Sequence, residues 1–395
     1  MRVLSLFDGM SCGQIALNRI GIVPEIYWAS EIDKYAQIVS KANYPNTVYL
    51  GDVRNIDPCA LPGVDLLIGG SPCQSFSMAG ERKGMSTKCE IEVLTLAHYL
   101  ELKAENFAFE GQSYLFWEYM RVLTELRKIN PNIKFLLENV MMGEKWQRVL
   151  TQAIGINPIC IDSALLSAQN RERLYWTNIG AQPSGFFGDL ECAIPQPKDL
   201  GLYLGDILQP DEEIHPKFYI SPKMLEGVLR SSKGDEYKHL FDETEKSPTI
   251  DTRVGASTHF SPYIISDGLN DRQKKNFKYK DQKANTFLST SWKGAQANGM
   301  TLVESGTIRT HNDGKGFRAI KNGKAATIPA RAREDGSGQN AVSLNGRVRR
   351  LTPIECERLQ TVPDNYTNHT SDTQRYKMIG NGWTVDVIAY IFGFI

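Results

Sequence analysis

Residues 5–17 read SLFDGMSCGQIAL. An apolar run gives way to a turn built on Gly9, and CGQIAL then carries apolar residues at helical spacing, so the stretch reads as strand, turn and helix. That geometry can hold a nucleotide-like ligand, although the full G-x-G-x-x-G fingerprint is missing. The same grammar runs to about residue 180. RVLSLF from Arg2, EIYWAS from Glu25, NTVYL from Asn46, VDLLIGG from Val64, IKFLLENV from Ile133 and RLYWTNIG from Arg173 read as strands. Most are apolar on both faces, as a buried sheet requires. Between them, CGQIALNRIG, KYAQIVSKANY and LFWEYMRVLTELRKIN read as helices. Strands alternating with helices predict an α/β fold on a parallel sheet, with ligands where strands end and helices begin.

The 395 residues are too many for one small domain and suit two. With 41% hydrophobic and 23% charged residues the composition is globular, which excludes disordered, collagenous and coiled-coil classes. No run approaches the ~18 apolar residues of a membrane span, and the first residues lack a secretory pattern, so a soluble protein away from membranes is expected. Seven scattered cysteines without a Cys-x-x-Cys pair argue against disulfides and zinc, point to a reducing compartment and leave no metal site expected. Beyond about Gly180 the texture turns to Gly, Ser, Asn, Lys and Thr, placing a boundary near 180–200. Three segments there look alike, KSPTIDTR from Lys246, KANTFLST from Lys283 and KAATIPAR from Lys324, either as repeated hairpins or as a chance likeness. From about Arg349 the pattern is helical again: TPIECERLQT opens on a Thr352 cap followed by Pro353, and WTVDVIAYIFGF closes the chain. The formal net charge is zero, yet Asp271–Arg350 holds 17 Lys and Arg against 6 Asp and Glu. A basic stretch so segregated points to nucleic acid more than to a solvated face.

Cys73 follows the strand VDLLIGG through Ser71-Pro72, which puts it at a strand's C-terminal end. It is either a small buried hydrophobe or a nucleophile whose thiolate attacks an electrophilic carbon. IKFLLENV ends in Glu138-Asn139, and a carboxyl at a buried sheet edge is either a salt-bridged structural group or a proton donor beside that nucleophile. Arg171 and Arg173, two residues apart on an extended segment, face the same way and suit carbonyl or phosphate oxygens, or a structural carboxylate. Glu31, after the second strand, is placed for ribose hydroxyls, and Asp52, after the third, for an adenine amino group.

These pieces occur in a specific order: FDGMSCG from Phe7, Glu31 in SEID, Gly51-Asp52-Val53, GGSPCQSFS from Gly69, SYLFWE from Ser113, Glu138-Asn139-Val140, Gln169-Asn170-Arg171-Glu172-Arg173, RRLTPIECERLQTVPDNY and Gly380-Asn381-Gly382. In this order the chain resembles the DNA cytosine-5 methyltransferases of bacterial or phage type, over roughly 1–180 and 349–395. The resemblance implies a Rossmann-like S-adenosylmethionine-dependent methyltransferase fold, with residues 1–180 plus 349–395 as catalytic domain. It implies a second, mostly β or irregular target-recognition domain over 181–348. It further implies that Cys73 adds to carbon 6 of a flipped-out cytosine, Glu138 protonates ring nitrogen 3, and Arg173 and Arg171 hold the base's carbonyl oxygen and adjoining backbone. S-adenosylmethionine, leaving as S-adenosylhomocysteine, would be held by Phe7, Asp8, Gly9, Met10, Glu31, Ile32, Asp52, Val53, Pro72, Leu115, Asn381 and Trp383.

The partner implied is double-stranded DNA, contacted through such residues as Arg253, Lys293, Arg331 and Arg333. A separate cognate restriction endonuclease, a monomeric state and the cytoplasm of a bacterium or phage-infected cell complete the expectation. Four departures from the family pattern stand out. Ser11 replaces a second glycine, Ser71 replaces the Phe before Pro-Cys, Gly382-Trp383-Thr384 replaces a Ser-Val pair, and residues 81–112 exceed the usual catalytic loop yet are expected to close over the flipped base. The rivals are a transfer-RNA cytosine-5 methyltransferase, which the basic middle disfavours, a catalytically degenerate DNA-binding homologue, and a Rossmann dehydrogenase.

Overall fold

The computed structural model describes residues 1–72, 85–184, 189–218 and 351–395, together with four short strands between the last two segments. Seven strands form the central sheet: β1 (Arg2–Leu6), β2 (Ile26–Ser30), β3 (Val48–Tyr49), β4 (Leu66–Gly70), β5 (Lys134–Val140), β6 (Ile159–Asp162) and β7 (Glu172–Thr177). Their order is β3-β2-β1-β4-β5-β7-β6. The first five are parallel to their neighbours, and β7 runs antiparallel between β5 and β6. Val3, Leu4, Leu6, Leu66, Leu67, Ile68, Leu136 and Leu137 are wholly buried, so the central strands are apolar on both faces, as a covered parallel sheet requires.

The helices expected near residues 12, 34 and 116 are present as α1 (Cys12–Arg19), α2 (Lys34–Asn43) and α4 (Phe116–Ile129). Asp33 caps α2 by accepting from the backbone of Tyr35 and Ala36. The long segment before α4 is not a free flap: α3 (Leu96–Ala104), capped by Thr95, packs against α4. Tyr99 and Lys103 both donate to Glu118, a wholly buried carboxylate on α4, and Trp117 Nε1 donates to the Val93 carbonyl at 3.2 Å. Residues 85–112 therefore belong to the body, which corrects the expectation that all of 81–112 closes over a base.

Sequence periodicity missed β6, α5 (Glu144–Ile154) and a C-terminal helix. The chain after β7 makes a hairpin of β8 (Ala181–Ser184) and β9 (Asp189–Cys192), then a single turn α6 (Leu204–Ile207). Ile194, Ile207, Ile214 and Phe218 join the main core, so the body extends to residue 218. Two further antiparallel pairs follow, β10 (Thr307–Ile308) with β11 (Phe317–Arg318) and β12 (Ala341–Leu344) with β13 (Arg347–Arg350). The three lookalike segments at Lys246, Lys283 and Lys324 lie outside the described residues, as do Arg253, Lys293, Arg331 and Arg333.

The C-terminal segment returns to the first strands as α7 (Pro353–Leu359), α8 (Asp372–Asn381) and α9 (Val385–Phe392). Thr352 and Glu355 form a reciprocal capping box with Pro353 in the first turn, as the sequence predicts. α9 packs along α1, Arg19 pairs with Asp386, and Lys377 reaches Asp33 at 2.7 Å. Beneath these, wholly buried Glu357 accepts from the backbone of Asn365 and Thr367 and from Arg375 at 3.0 Å. Chain ends 350 residues apart thus share one core.

Candidate active site

The sheet order lines up the sequence motifs along one edge. Read across the carboxyl ends of the parallel strands, Asp52 follows β3, Glu31 follows β2, the Phe7–Gly9 turn follows β1, Ser71-Pro72 follows β4, and Glu138 stands on β5. Arg173, near the start of antiparallel β7, is registered with Val140 and completes the row. Adjacent strands lie about 4.8 Å apart, so a ligand at the β1 turn is one strand from the Pro72-Cys73 junction and two from Glu138. The two halves meet between β1 and β4, where the strand order reverses, which is where open α/β sheets bind ligands.

On the β1 side the turn is braced by carboxylates. Glu31 accepts from Gly9 N at 2.8 Å and from Ile32 N and Asp33 N at 2.7 Å. Phe7 and Gly9 both have φ of +58°, and a Cβ built on Gly9 meets nothing within 4 Å, so the turn opens onto free space. Ile32, beside it, is 67% exposed. Asp52 caps the turn after β3 and pairs with Arg54, whose guanidinium holds the carboxyl below its usual range. Met10 and Val53 are buried, and both commit their carbonyls: Met10 O accepts from Tyr366 OH at 2.7 Å and Val53 O from Arg121 at 3.1 Å. Leu115 and Phe7 are half-buried against the core, and Asn381 is exposed at the end of α8.

Asp8 points inward. It accepts from Ser11 Oγ at 2.5 Å and Tyr27 OH at 2.7 Å, and burial pushes its carboxyl from 3.8 to about 6, against the lowering by these hydroxyls. Ser11, where the family keeps glycine, has a left-handed φ of +64°, a conformation costing a non-glycine residue roughly 1–2 kcal/mol. Its hydroxyl offsets this by joining a chain in which Tyr49 OH reaches Ser40 Oγ, Ser40 reaches Ser11, and Ser11 donates to Asp8.

On the β4–β5 side, Glu138 is nearly buried, at 9% exposure. Its Oε1 lies 3.0 Å from Arg173 Nε, and its Oε2 accepts from Trp383 Nε1 at 3.2 Å. Asn139 donates to the Ser71 carbonyl at 3.3 Å and hydroxyl at 3.0 Å. Ser71 therefore replaces a bulky side chain with a hydrogen-bond partner that fixes the approach to Pro72. Cys73 itself lies outside the described residues. Burial pushes the Cys12 thiol up to about 12 and raises those of Cys160 and Cys192.

Two site residues carry contacts that no local sequence signal announces. The Arg171 guanidinium is taken up by the carbonyls of Gly382 at 2.9 Å and Gly380 at 3.5 Å, and its backbone N by Asp162. It ties down the C-terminal segment from the residue just before β7, which begins at Glu172. Trp383, expected on the cofactor, donates to the carboxyl on β5. A contact between residues 245 apart has no local sequence signal.

A doubly wound sheet with one antiparallel strand and a carboxylate-braced turn beside a buried Glu–Arg pair defines a Rossmann-like transferase of the S-adenosylmethionine-dependent type. Comparison with known proteins makes this particular. The family described as C-5 cytosine-specific DNA methylase matches residues 1–101 and 164–395, and the chain belongs to that family. It is 26% identical to orphan methyltransferase M.SPRI of Bacillus phage SPR, over 99% of this chain and 96% of that one. It is 23% identical to type II methyltransferase M.HhaI of Haemophilus parahaemolyticus, over 99% and 93%. Among solved structures it resembles a DNMT2 mutant from Spodoptera frugiperda, with TM-score 0.55 and 17% identity over 100% of this chain and 98% of that one. A putative prophage-encoded DNA modification methyltransferase from E. coli is similar in fold, with TM-score 0.51 and 16% identity over 99% and 97%. The protein is thus a DNA (cytosine-5) methyltransferase, of a family that uses S-adenosylmethionine. Among the described residues, no helix is long and apolar enough to cross a membrane, and no His, Cys, Asp and Glu cluster could hold a metal.

Proposed function

We propose that this chain methylates a cytosine flipped out of double-stranded DNA through a covalent Cys73 adduct. The observation that carries the reading is the row of motifs on one sheet edge, with the Glu138–Arg173 pair one strand from the Pro72-Cys73 junction. Cys73 thiolate forms a bond to carbon 6 while Glu138 places a proton on ring nitrogen 3, so the displaced π pair raises electron density at carbon 5. Arg173 fixes Glu138 and reaches the base's carbonyl oxygen. Once carbon 5 carries the methyl group, removal of its proton by a base re-forms the 5,6 double bond as the sulfur–carbon 6 bond breaks, and ring nitrogen 3 returns its proton to Glu138. None of these atoms is reachable inside a duplex, so the base must leave the stack at a cost of a few kcal/mol.

The residues at the β1 and β2 ends fit the methyl donor. Glu31 and Asp8 make the turn acidic, which suits a cationic sulfonium nucleoside and opposes the pyrophosphate of a dinucleotide. Phe7, Gly9, Glu31 and Ile32 would hold its nucleoside, with Asp52 at the adenine and Pro72, Leu115 and Asn381 at the rim; Asp8, Met10 and Val53 would shape the turn from below. Bound there, S-adenosylmethionine supplies an electrophilic methyl and leaves as S-adenosylhomocysteine.

Residues 181–348 act as target-recognition domain, joined through 189–218 to the core of the catalytic domain that residues 1–180 with 349–395 form, and the basic stretch from 271 to 350 neutralises phosphates. The protein works as a monomer in the cytoplasm of a bacterium or phage-infected cell, with or without a separate cognate restriction endonuclease. The deciding experiment is transfer of labelled methyl to genomic DNA, with transfer RNA and Cys73→Ala run in parallel, followed by bisulfite sequencing. Label at a fixed DNA motif, absent with Cys73→Ala, is expected; label confined to transfer RNA would overturn the substrate.

A further inference from the structure

The tail residue Trp383 departs from the family's usual Ser-Val pair, and its side chain sits where the mechanism has most need of order. Its indole N–H donates to Glu138 Oε2 at 3.2 Å, while Arg173 Nε lies 3.0 Å from Oε1. The two oxygens therefore differ. Oε1 faces a permanent cation, which holds negative charge on that atom, whereas Oε2 faces a neutral donor with no competing charge. A carboxyl proton is better placed on Oε2. Gly70, at the end of β4, leaves the gap that brings the three groups together: a Cβ built there would lie 2.8 Å from Trp383 Nε1 and 3.1 Å from Glu138 Oε2. Trp383 is in turn fixed from behind, since Arg171 holds the carbonyl of Gly382 and Thr384 donates to Gln360 at 2.8 Å.

We propose that Trp383 is a positioning residue for Glu138: its N–H fixes the carboxyl so that Oε2 is the atom that carries the proton to cytosine nitrogen 3. This rests on the mechanism proposed above. It makes the C-terminal segment part of the acid–base machinery, and it separates Trp383 from the cofactor wall on which the resemblance places it.

The test is a reaction that needs Cys73 and Glu138 but no methyl donor. Addition of the thiolate to carbon 6 lets carbon 5 take a proton from water, so the target cytosine exchanges its carbon 5 hydrogen when S-adenosylmethionine is omitted. With tritiated DNA, Trp383→Phe, which keeps the ring and loses the N–H, is expected to slow this release about tenfold, the scale of one hydrogen bond to a charged group. Its equilibrium affinity for S-adenosylmethionine is expected to stay at the wild-type value. Added to Glu138→Gln, it should cost nothing further, as two residues acting as one unit behave. Gly70→Ala, which intrudes on the same contact from the β4 side, should slow exchange in the same way. Exchange at the wild-type rate in both variants, or losses that multiply with Glu138→Gln, would overturn the positioning role. Exchange surviving in Cys73→Ala would instead sink the underlying mechanism.

Discussion

Asp8 offers the sharpest physical test, because its burial converts directly into a pH dependence. The carboxyl is pushed from 3.8 to about 6, chiefly by desolvation and in spite of the hydroxyls of Ser11, Ser5 and Tyr27. Below pH 3.8 both folded and unfolded chains hold this proton. Between 3.8 and about 6 only the folded chain holds it, so folding loses stability with rising pH, and above about 6 both are ionised and the slope vanishes. At 1.36 kcal/mol per pH unit the whole step is about 3 kcal/mol. Asp8→Asn removes the titration and keeps the shape, since the hydroxyls of Ser11 and Tyr27 can rotate to meet an amide. Urea unfolding of both proteins from pH 4.5 to 8 should show the wild type losing about 2 kcal/mol relative to the variant by pH 6.5, and nothing more above it. Parallel curves, or a wild type that gains on the variant as pH rises, would mean that Asp8 is not buried against these hydroxyls and that the turn below Gly9 is wrongly understood.

Four further outcomes are expected. Ser11→Gly relieves about 1 kcal/mol of left-handed strain but removes three buried hydrogen bonds, to Asp8, Ser40 and Gln14, worth about 1 kcal/mol each, so thermal or urea unfolding should show a net loss of about 2 kcal/mol. Arg173→Lys should lower the methylation rate roughly a hundredfold at unchanged stability, because a point charge cannot reproduce the guanidinium's grip on Glu138. Arg171→Ala, which frees the Gly382 carbonyl behind Trp383, should cost about 2–3 kcal/mol of stability and also slow the folded fraction, and a wild-type rate in that fraction would contradict its hold on the C-terminal segment. Glu357→Gln leaves Arg375 buried without its counter-charge, and urea denaturation should register a loss of about 3–5 kcal/mol.

The sequence made legible what depends on one strand and its next turn. An apolar run that ends in a polar or glycine-rich junction marks a strand's carboxyl end, and the fold then needs only the strand order to bring Glu31, Phe7, Pro72 and Glu138 into a row. The elements it hid lack that signature. β6 is four residues at the sheet's outer edge with only Ile161 wholly buried, and α8, DTQRYKMIGN, is too polar to show an apolar stripe. The hold of Arg171 on the carbonyls of Gly380 and Gly382 has no local signal, because its partners lie 209 and 211 residues away. The contacts of Trp383 with Glu138, and of Tyr366 with Met10, join segments hundreds of residues apart.

Those long-range contacts explain why the catalytic body is built from two ends of the chain. The first half supplies every carboxyl along the sheet edge, but Glu138, the Met10 carbonyl and Asp33 each lean on a partner beyond residue 365. The C-terminal segment follows the basic stretch in sequence, so a body lacking it would lose both part of its core, Leu359, Ile379, Val385 and Ile388 among it, and the brace on its acid. Because Arg171, adjoining β7, holds Gly380 and Gly382 while Trp383 holds Glu138 on β5, the segment spans the two antiparallel strands that meet at the active site. A displacement of this segment therefore acts on the proton donor as well as on the core it shares with the sheet.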